Sequence, residues 1–321
     1  MRELMRLHAA RKFLAVLEAA DAIGLLDRLS APAATTDLAA ATNTRPELLE
    51  RLLRVLGWHG VVTRDAHGRW AAGPEMSVFL GTPGGADDAR GLLRIERWAA
   101  GDHLDAAGLV AALRGRECDT AVPEDVVGDL GAAMAVGARS AAPHVARLPE
   151  LRGVRHLADV GGGSAGYTVT LCRLHAGLRA TVYDRAPMLK HAAAAVSRAG
   201  LDERVGLVPW DMTAHALPAG HDGALLSHVL HLLPRARRRD LLDRVRAAVE
   251  PGAVLVVHDF LYDEPDPLSQ LAGSAADWIA TGSDFVLTSQ ELMEELAWSG
   301  FHEARTIAPS TLSSSLVVAR A

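Results

Sequence analysis

The stretch LADVGGGSAG, residues 157–166, decides the fold of this chain. Its first four residues end an apolar run that is typical of a buried parallel strand, and the glycines after it let the backbone turn tightly into a helix. In a sheet of this kind, ligands bind in the crevice at the carboxyl ends of the strands. The pattern therefore predicts a ligand site with close backbone contacts at Gly161 and Gly163.

Alternating strands and helices continue from this point to the end of the chain, which indicates a parallel sheet covered by helices on both faces. The last two segments are short and close together, so we expect them to pair as a hairpin and to add an antiparallel strand. The sequence predicts an α/β fold with a Rossmann-like sheet over residues 151–321. The predicted strands are VRHLADV, ATVYD, VGLVP, DGALLSHVL, AVLVVHDF, HEARTIA and SSLVVARA.

The start of the chain shows helical periodicity instead. Leucines and alanines at helical spacing predict a helix over residues 7–29. A short helix is expected to be capped by Thr36 and to end at Ala41, and Thr44 and Pro46 are expected to start another. The leucines at 48, 49, 52, 53 and 56 of that helix are predicted to share one face, before Gly57 loosens it.

A hairpin that turns at His67 and Gly68 follows, so residues 1–86 are predicted to form a winged-helix-like domain. A DNA-binding regulator would show a similar pattern. Because the segment PELLERLLRVLG balances two arginines with two glutamates, a packing or dimerisation role is favoured. Residues 87–150 are alanine-rich and predict a helical region that connects the domains and contributes to a substrate pocket.

Composition excludes several classes of protein. The 321 residues carry a formal net charge of -6, with 39 acidic against 33 basic residues, so nucleic acid and anionic membranes are not expected partners. Cys118 and Cys172 fit no metal spacing, which favours a reducing compartment. The charged start of the chain does not resemble a signal peptide, and we expect a cytoplasmic protein without a membrane span.

Acidic residues follow three successive predicted strands, and they distinguish between two cofactors. The glycine pattern by itself also fits a dinucleotide such as NAD. Asp159 can serve a cationic amino-acid ligand, Asp184 can accept hydrogen bonds from both ribose hydroxyls, and Asp211 can accept from an adenine amino group. Met212 supplies a thioether that can lie against the adenine ring. This context favours S-adenosylmethionine.

The chain resembles the plant caffeic-acid-type and bacterial polyketide-type O-methyltransferases over nearly its whole length. The matching stretches are LADVGGG, RVGLVPWDM, VLH, RVRAAVEPGAVLVVHDF and TSQELMEELAWSGF. The resemblance implies a class I methyltransferase fold, S-adenosylmethionine as cofactor, a homodimer built through the N-terminal domain, and a buried site for a small-molecule acceptor. The predicted cofactor-binding residues are Asp159, Gly161, Gly163, Asp184, Arg185, Asp211, Met212 and Ser227, the last in place of a frequent lysine.

The same resemblance places His231 at the position of the catalytic base. The family's HDW triplet is His231-Leu232-Leu233 here, and its ERT triplet before the penultimate helix is Val286-Leu287-Thr288. The carboxylate that would orient the histidine is thus missing at the second of these positions. Asp259 is the first candidate for that orienting acid, and Asp284 is the second. The resemblance also implies an acceptor pocket, and the predicted substrate-binding residues are Met134, His228, Trp278 and Phe285.

Methyl transfer to a phenol requires removal of a proton, which a neutral imidazole accepts at neutral pH. His231 fits this role, but a histidine in the apolar run VLHLL also fits simple packing. A metal bound by His231, His258 and Asp259 is a further alternative, although the spacing is loose and no metal is predicted. We therefore expect O-methylation of an aromatic natural product. The alternatives are C- or N-methylation of a keto acid, enol or amine, and a non-methylating homologue that only binds the cofactor.

Overall fold

The computed structural model divides into two compact units, Met1–Trp98 and Ala99–Ala321. It describes residues 1–74, 76, 90–95, 106–116, 126–261, 263, 287–307 and 314–321. The finer division into 1–86, 87–150 and 151–321 stays a prediction. In the described part of the chain, no helix combines the length and apolar character that crossing a membrane requires.

Helices and a two-stranded hairpin make up the first unit, as predicted. A core of apolar side chains, Leu25, Leu53, Leu56 and Trp70 among them, joins the helices to the hairpin. The elements are α1 (Arg2–Ala22), α2 (Thr35–Ala41), α3 (Pro46–Trp58), β1 (Val62–Arg64) and β2 (Trp70–Ala72).

Three details of this unit differ from the sequence-based predictions at the ends of the helices. The first helix stops at Ala22, because Gly24 adopts a left-handed φ of 69° and a separate 3-10 turn follows. Thr36 does not cap α2, since the helix already begins at Thr35, whose hydroxyl donates to Glu50 at 2.6 Å. Thr44 does not cap α3 either, because its hydroxyl lies 2.9 Å from that of Thr42.

The apolar face of α3 is narrower than predicted. Leu49, Leu53 and Leu56 are buried, whereas Leu48 remains 44% exposed. These positions repeat at three and four residues, which places Leu48 about one quarter of a turn away from the buried face. The helix continues through Gly57 and ends at Trp58.

The second unit is a seven-stranded sheet with the order β5-β4-β3-β6-β7-β9-β8. The strands are parallel except for β9, which pairs antiparallel with both β7 and β8. The predicted α/β class, the seven strands and the antiparallel addition are therefore confirmed. The strands are β3 (His156–Val160), β4 (Arg179–Asp184), β5 (Val205–Pro209), β6 (His221–Ser227), β7 (Val249–Asp259), β8 (His302–Ile307) and β9 (Ser315–Arg320).

Apolar side chains alternate along these strands and build a core on each face of the sheet. Leu157, Leu225 and Val256 belong to one core, and Ala158 and Val257 belong to the other. The helices of this unit are α4 (Ala106–Leu113), α5 (Val127–Val145), α6 (Gly166–Leu174), α7 (Ala186–Arg198), α8 (Arg235–Ala248) and α9 (Ser289–Trp298).

The order of the strands positions the site. From β3 the chain moves outward to β4 and β5, and it then returns to the other side of β3 to form β6 and β7. The reversal opens a crevice at the carboxyl ends of β3 and β6. The fourth predicted strand is shorter than expected, because it ends at Ser227 where His228 turns to a φ of 55°.

Candidate active site

The glycine loop after β3 has a backbone that only small residues fit. Gly161 and Gly163 adopt positive φ angles of 71° and 55°. A Cβ atom added to Gly163 would lie 2.2 Å from the Cε atom of Met134 in α5, and one on Gly162 would lie 2.6 Å from Cγ of Asp159. Met134 therefore packs directly over this loop, and the ligand contacts at Gly161 and Gly163 stay a prediction.

Ala165, between Ser164 and Gly166 in the same loop, also has a left-handed backbone, with φ at 61°. Its methyl group is completely buried and belongs to the core beside α5 and α6. A left-handed conformation costs a non-glycine residue about 1–2 kcal/mol, so the surrounding packing must hold it in place. The loop therefore accommodates alanine here.

Asp159 is the next-to-last residue of β3, just before this loop, with 1% of its surface exposed. Its Oδ2 atom accepts a hydrogen bond from the Thr168 hydroxyl at 2.6 Å, whereas Oδ1 has no partner among the described residues. Burial, together with the nearby charge of Asp184, raises the pKa of Asp159 to about 6, although Thr168 opposes the shift. A buried carboxylate with a free oxygen is suited to a cationic group of a ligand.

Asp184, at the end of β4, links the loop to the neighbouring strand. Its Oδ2 atom accepts from the Gly163 amide at 2.8 Å, and Oδ1 accepts from the Arg185 amide at 2.7 Å. Burial raises the pKa of Asp184, while these two amides and the Arg185 charge lower it. Each carboxylate oxygen keeps a second acceptor position for a ligand hydroxyl.

Asp211 and Met212 follow β5 on the same edge of the sheet. The Asp211 carboxylate is exposed, and its Oδ1 atom accepts from the amide and the hydroxyl of Thr213 at 2.8 and 2.6 Å, which lower its pKa. The Met212 Cε atom would lie 3.7 Å from a Cβ atom on Gly161. The structure thus brings Met212 next to the glycine loop, as the prediction of a shared site requires.

His231 and Asp259 form a dyad at the end of β7. The Nδ1 atom of His231 lies 2.7 Å from Oδ1 of Asp259, and Asp259 is fully buried while His231 is partly exposed. Burial alone would raise the pKa of Asp259, but His231 and the amide of Phe260, among other groups, bring it down to about 2. Because the carboxylate is ionised and only accepts, Nδ1 carries the proton and Nε2 presents a free lone pair.

The backbone fixes this carboxylate from several directions. Its Oδ2 atom accepts from the amides of Leu230 and His231 at 2.8 and 3.4 Å, and Oδ1 also accepts from the Phe260 amide at 2.8 Å. The short 3-10 turn Leu230–Leu232 presents the first two of these amides. The first candidate for the orienting acid is therefore in contact with His231.

A second cluster lies on the other side of β7. The hydroxyl of Tyr167 in α6 lies 2.9 Å from Nδ1 of His258, and the Ser227 hydroxyl lies 3.4 Å from the same atom. His258 is 1% exposed, and its Nε2 atom has no partner among the described residues. Ser227, a predicted cofactor contact, therefore faces His258 within the protein.

His258 also stands apart from the metal site considered from the sequence. The three residues whose ligand atoms lie within 4.8 Å of one another are His228, His231 and Asp259. His258 precedes Asp259 in β7, so the two side chains point to opposite faces of the strand. The alternative set of metal ligands, His231, His258 and Asp259, is therefore wrong, because His258 does not belong to this group.

Most of the predicted site residues meet at one edge of the sheet, and a few fall elsewhere. Trp278 and Phe285, predicted for the acceptor pocket, and Asp284, the second candidate acid, lie outside the described residues. Sequence reasoning did not identify Thr168 and Tyr167, which bind Asp159 and His258. Both follow the last glycine of the loop within half a turn of α6, so a search for polar residues on the first turn of that helix would have found them.

The chain is similar to known O-methyltransferases. Residues 132–292 match the model of the O-methyltransferase domain family. The mitomycin biosynthesis 6-O-methyltransferase of Streptomyces lavendulae is 30% identical over 252 residues, which cover 75% of this chain and 71% of that protein.

A second relative aligns over a shorter part. The 3-hydroxy-5-methyl-1-naphthoate 3-O-methyltransferase of Streptomyces sahachiroi is 31% identical over 169 residues, or 52% of this chain, and the match spans 48% of that protein's length. Among solved structures, human N-acetylserotonin methyltransferase in complex with SAM aligns with a TM-score of 0.81 and 20% identity. That match covers 99% of this chain and 96% of the human chain, and it shows that the two share a fold.

Proposed function

The chain belongs to the O-methyltransferase family, and we propose that it transfers a methyl group from S-adenosylmethionine to a hydroxyl of a small aromatic acceptor, with His231 as the general base. The predicted family, the methyltransferase class and the cofactor are confirmed by this membership. The observation that carries the proposal is the contact of 2.7 Å between His231 and a buried, ionised Asp259 at the ligand-binding edge of the sheet.

The residues at the carboxyl ends of β3, β4 and β5 fit the cofactor. We assign the free oxygen of Asp159 to its ammonium group, Asp184 to its ribose, and Asp211 with Met212 to its adenine. Gly161 and Gly163 carry no side chain, so we assign their backbone to direct contact with the cofactor at this edge. Arg185 follows Asp184, and Ser227 ends β6, so both are assigned supporting positions around the same ligand.

We assign to His231 and Asp259 the removal of the proton from the acceptor hydroxyl. Bound S-adenosylmethionine supplies an electrophilic methyl group on a sulfonium. His231 would accept the hydroxyl proton at Nε2 as the acceptor oxygen took the methyl group, and the cofactor sulfur would keep the electrons of its former bond to that carbon. Asp259 stabilises the imidazolium that results and keeps the ring oriented without taking the proton itself.

An aromatic acceptor is supported by the relative named for a hydroxylated naphthoate. Met134 packs over the glycine loop at Gly163, so its flexible thioether is placed to contact a flat ring beside the cofactor. Trp278 and Phe285 keep their proposed place in the acceptor pocket on family resemblance alone.

We also propose a homodimer that forms through the first unit. Helix α1 exposes several apolar side chains to solvent, including Leu4, Met5 and Leu7. Exposed apolar side chains on a single helix are suited to burial against a second copy. Sedimentation velocity at micromolar concentration is expected to give the mass of a dimer, and a monomer there would contradict this assignment.

Calorimetric titration with S-adenosylmethionine, S-adenosylhomocysteine and NAD, followed by a methyl-transfer screen of phenols, amines and keto acids, tests the proposal. We expect binding of the two sulfur nucleosides and methylation of phenols. Transfer only to amines or to carbon would replace O-methylation with the N- or C-methylation alternative. Binding of the sulfur nucleosides without transfer to any acceptor would favour a non-methylating homologue.

A further inference from the structure

His228 lies beside the dyad but takes no part in it. The ring centroids of His228 and His231 are 6.0 Å apart, and the Phe260 ring packs against both, with centroids at 4.7 and 5.1 Å. One ring nitrogen of each histidine and a carboxylate oxygen of Asp259 lie within 4.8 Å of one another. A small group that binds His231 is therefore within reach of His228 as well.

The backbone of His228 has an uncommon conformation that the sheet holds in place. Its φ of 55° is left-handed, which is uncommon for a residue other than glycine. The amide of His228 donates to the carbonyl oxygen of His258 at 2.8 Å, so the pairing of β6 with β7 anchors the residue. Sparsely populated backbone conformations held in this way concentrate at functional sites.

The Nδ1 atom of His228 is buried and has no partner among the described residues. The ring packs at 82° to that of His258, with centroids 4.8 Å apart, and the buried Nε2 atom of His258 is also without a partner among them. Buried polar atoms in folded proteins are almost always hydrogen-bonded. Nε2 of His228 lies 3.4 Å from the Ser314 hydroxyl, so Nδ1 is the ring nitrogen that can still bond a ligand.

Both histidines are neutral at pH 7. Burial lowers the pKa of His228 to about 4, and burial together with the His228 charge lowers the pKa of His258 to about 3. A neutral imidazole nitrogen bonds a hydroxyl or a carbonyl without requiring a buried charge. A carboxylate would have to be desolvated at this position without a compensating cation.

A metal ion is the other ligand that the three residues could hold, but Asp259 is already fully used. Its two oxygens accept bonds from the amides of Leu230, His231 and Phe260 and from the His231 ring. A carboxylate has about four acceptor positions, so no lone pair is left for a metal. The hydrogen bonds therefore favour an organic ligand over a cation.

We propose that His228 binds a second, uncharged oxygen of the acceptor, next on the ring to the hydroxyl that His231 deprotonates. The acceptor class is then an aromatic compound with two adjacent hydroxyls, or with a hydroxyl beside a carbonyl. This inference rests on the proposed function and adds to it the contact that selects the acceptor.

The test compares 1,2-dihydroxynaphthalene with 2-naphthol, which lacks the second oxygen. Each compound is titrated by calorimetry into full-length protein saturated with S-adenosylhomocysteine. The first variant, His228→Ala, removes the ring nitrogen. The second, His228→Asn, offers a polar side-chain atom near the Nδ1 position, and asparagine tolerates a positive φ. We expect the wild-type protein to bind the diol about tenfold more tightly, His228→Ala to lose this preference, and His228→Asn to retain most of it.

Equal affinity of the wild-type protein for the two compounds overturns the inference, and so does an unchanged preference in His228→Ala. The wild-type comparison needs no variant, so it decides the matter even if His228→Ala does not fold. Methyl transfer to both compounds without preference would remove this inference and leave the proposed function standing. One equivalent of zinc or iron retained after dialysis by the wild type and lost in His228→Ala would assign the residue to a metal instead.

Discussion

The amide of Gly163 donates to Oδ2 of Asp184 at 2.8 Å, so the carboxylate assigned to the ribose also holds the glycine loop. Loss of this carboxylate is expected to weaken cofactor binding in two ways, because it removes the acceptors for two ribose hydroxyls and the hydrogen bond that holds the glycine loop. Asp184→Ala should weaken S-adenosylhomocysteine binding by about 10- to 100-fold, the scale of hydrogen bonds to a charged group. Isothermal titration calorimetry measures the effect.

A matched control for this change is Asp243→Ala, which removes an exposed carboxylate from α8. It should leave the affinity for S-adenosylhomocysteine unchanged. If the two variants bind the nucleoside equally well, the assignment of Asp184 to the cofactor is wrong.

His231→Ala should reduce kcat by about 100-fold or more, because a general base contributes on that scale. The affinity for S-adenosylhomocysteine should be nearly unchanged, since His231 contacts the acceptor side of the site. Single-turnover methyl transfer with a phenol from the screen separates the chemical step from binding. A variant with full activity would show that His231 packs in the structure without acting as a base.

Gly163→Ala is expected to destabilise the loop. The positive φ costs an alanine about 1–2 kcal/mol, and the new Cβ would displace the terminal methyl of Met134. Gly177→Ala is the control, because an added Cβ there meets no atom within 4 Å. Urea unfolding should show a lower free energy of unfolding for Gly163→Ala and an unchanged one for Gly177→Ala. Similar unfolding curves for the two variants would contradict the predicted strain at Gly163.

Asp159 should make stability depend on pH in the direction opposite to a typical carboxylate. Its pKa is raised from 3.8 to about 6 in the folded protein, so the folded state binds the proton more tightly between these values. The stabilisation is fully present below pH 3.8 and is lost as pH rises through 6. We expect the wild-type protein, measured relative to Asp159→Asn, to lose about 2 kcal/mol of unfolding free energy between pH 4.5 and 7.

Urea unfolding of both proteins at each pH provides this measurement. His228 and His258, whose pKa values are lowered to about 4 and 3, lose their contribution as pH falls below 6.5 in both proteins. Their effect therefore cancels in the difference between the proteins. A difference that is constant across this range would contradict the raised pKa of Asp159.

Local sequence patterns determined the order of strands and helices, the glycine loop and the acids at the ends of β3, β4 and β5. These features depend on short-range physics: the alternation of apolar residues, the conformational freedom of glycine, and the rule that parallel strands place their carboxyl ends at one edge. Helix ends were less well predicted, as Thr36 and Thr44 show. The helix expected after Thr36 already begins at Thr35, whose hydroxyl bonds Glu50, and the Thr44 hydroxyl bonds Thr42; capping patterns include neither partner.

The tertiary structure alone decided which groups meet across the sheet. His231 and Asp259 are 28 residues apart, and Tyr167 and His258 are 91 apart, so only the pairing of β3, β6 and β7 brings them into contact. The free nitrogen of His228 likewise depends on its left-handed backbone and on burial. Hydrogen bonding and burial at such sites depend on neighbours that are distant in sequence, which is why the sequence offered Asp259 only as one of two candidate partners of His231 and did not identify the contact of His258 with Tyr167.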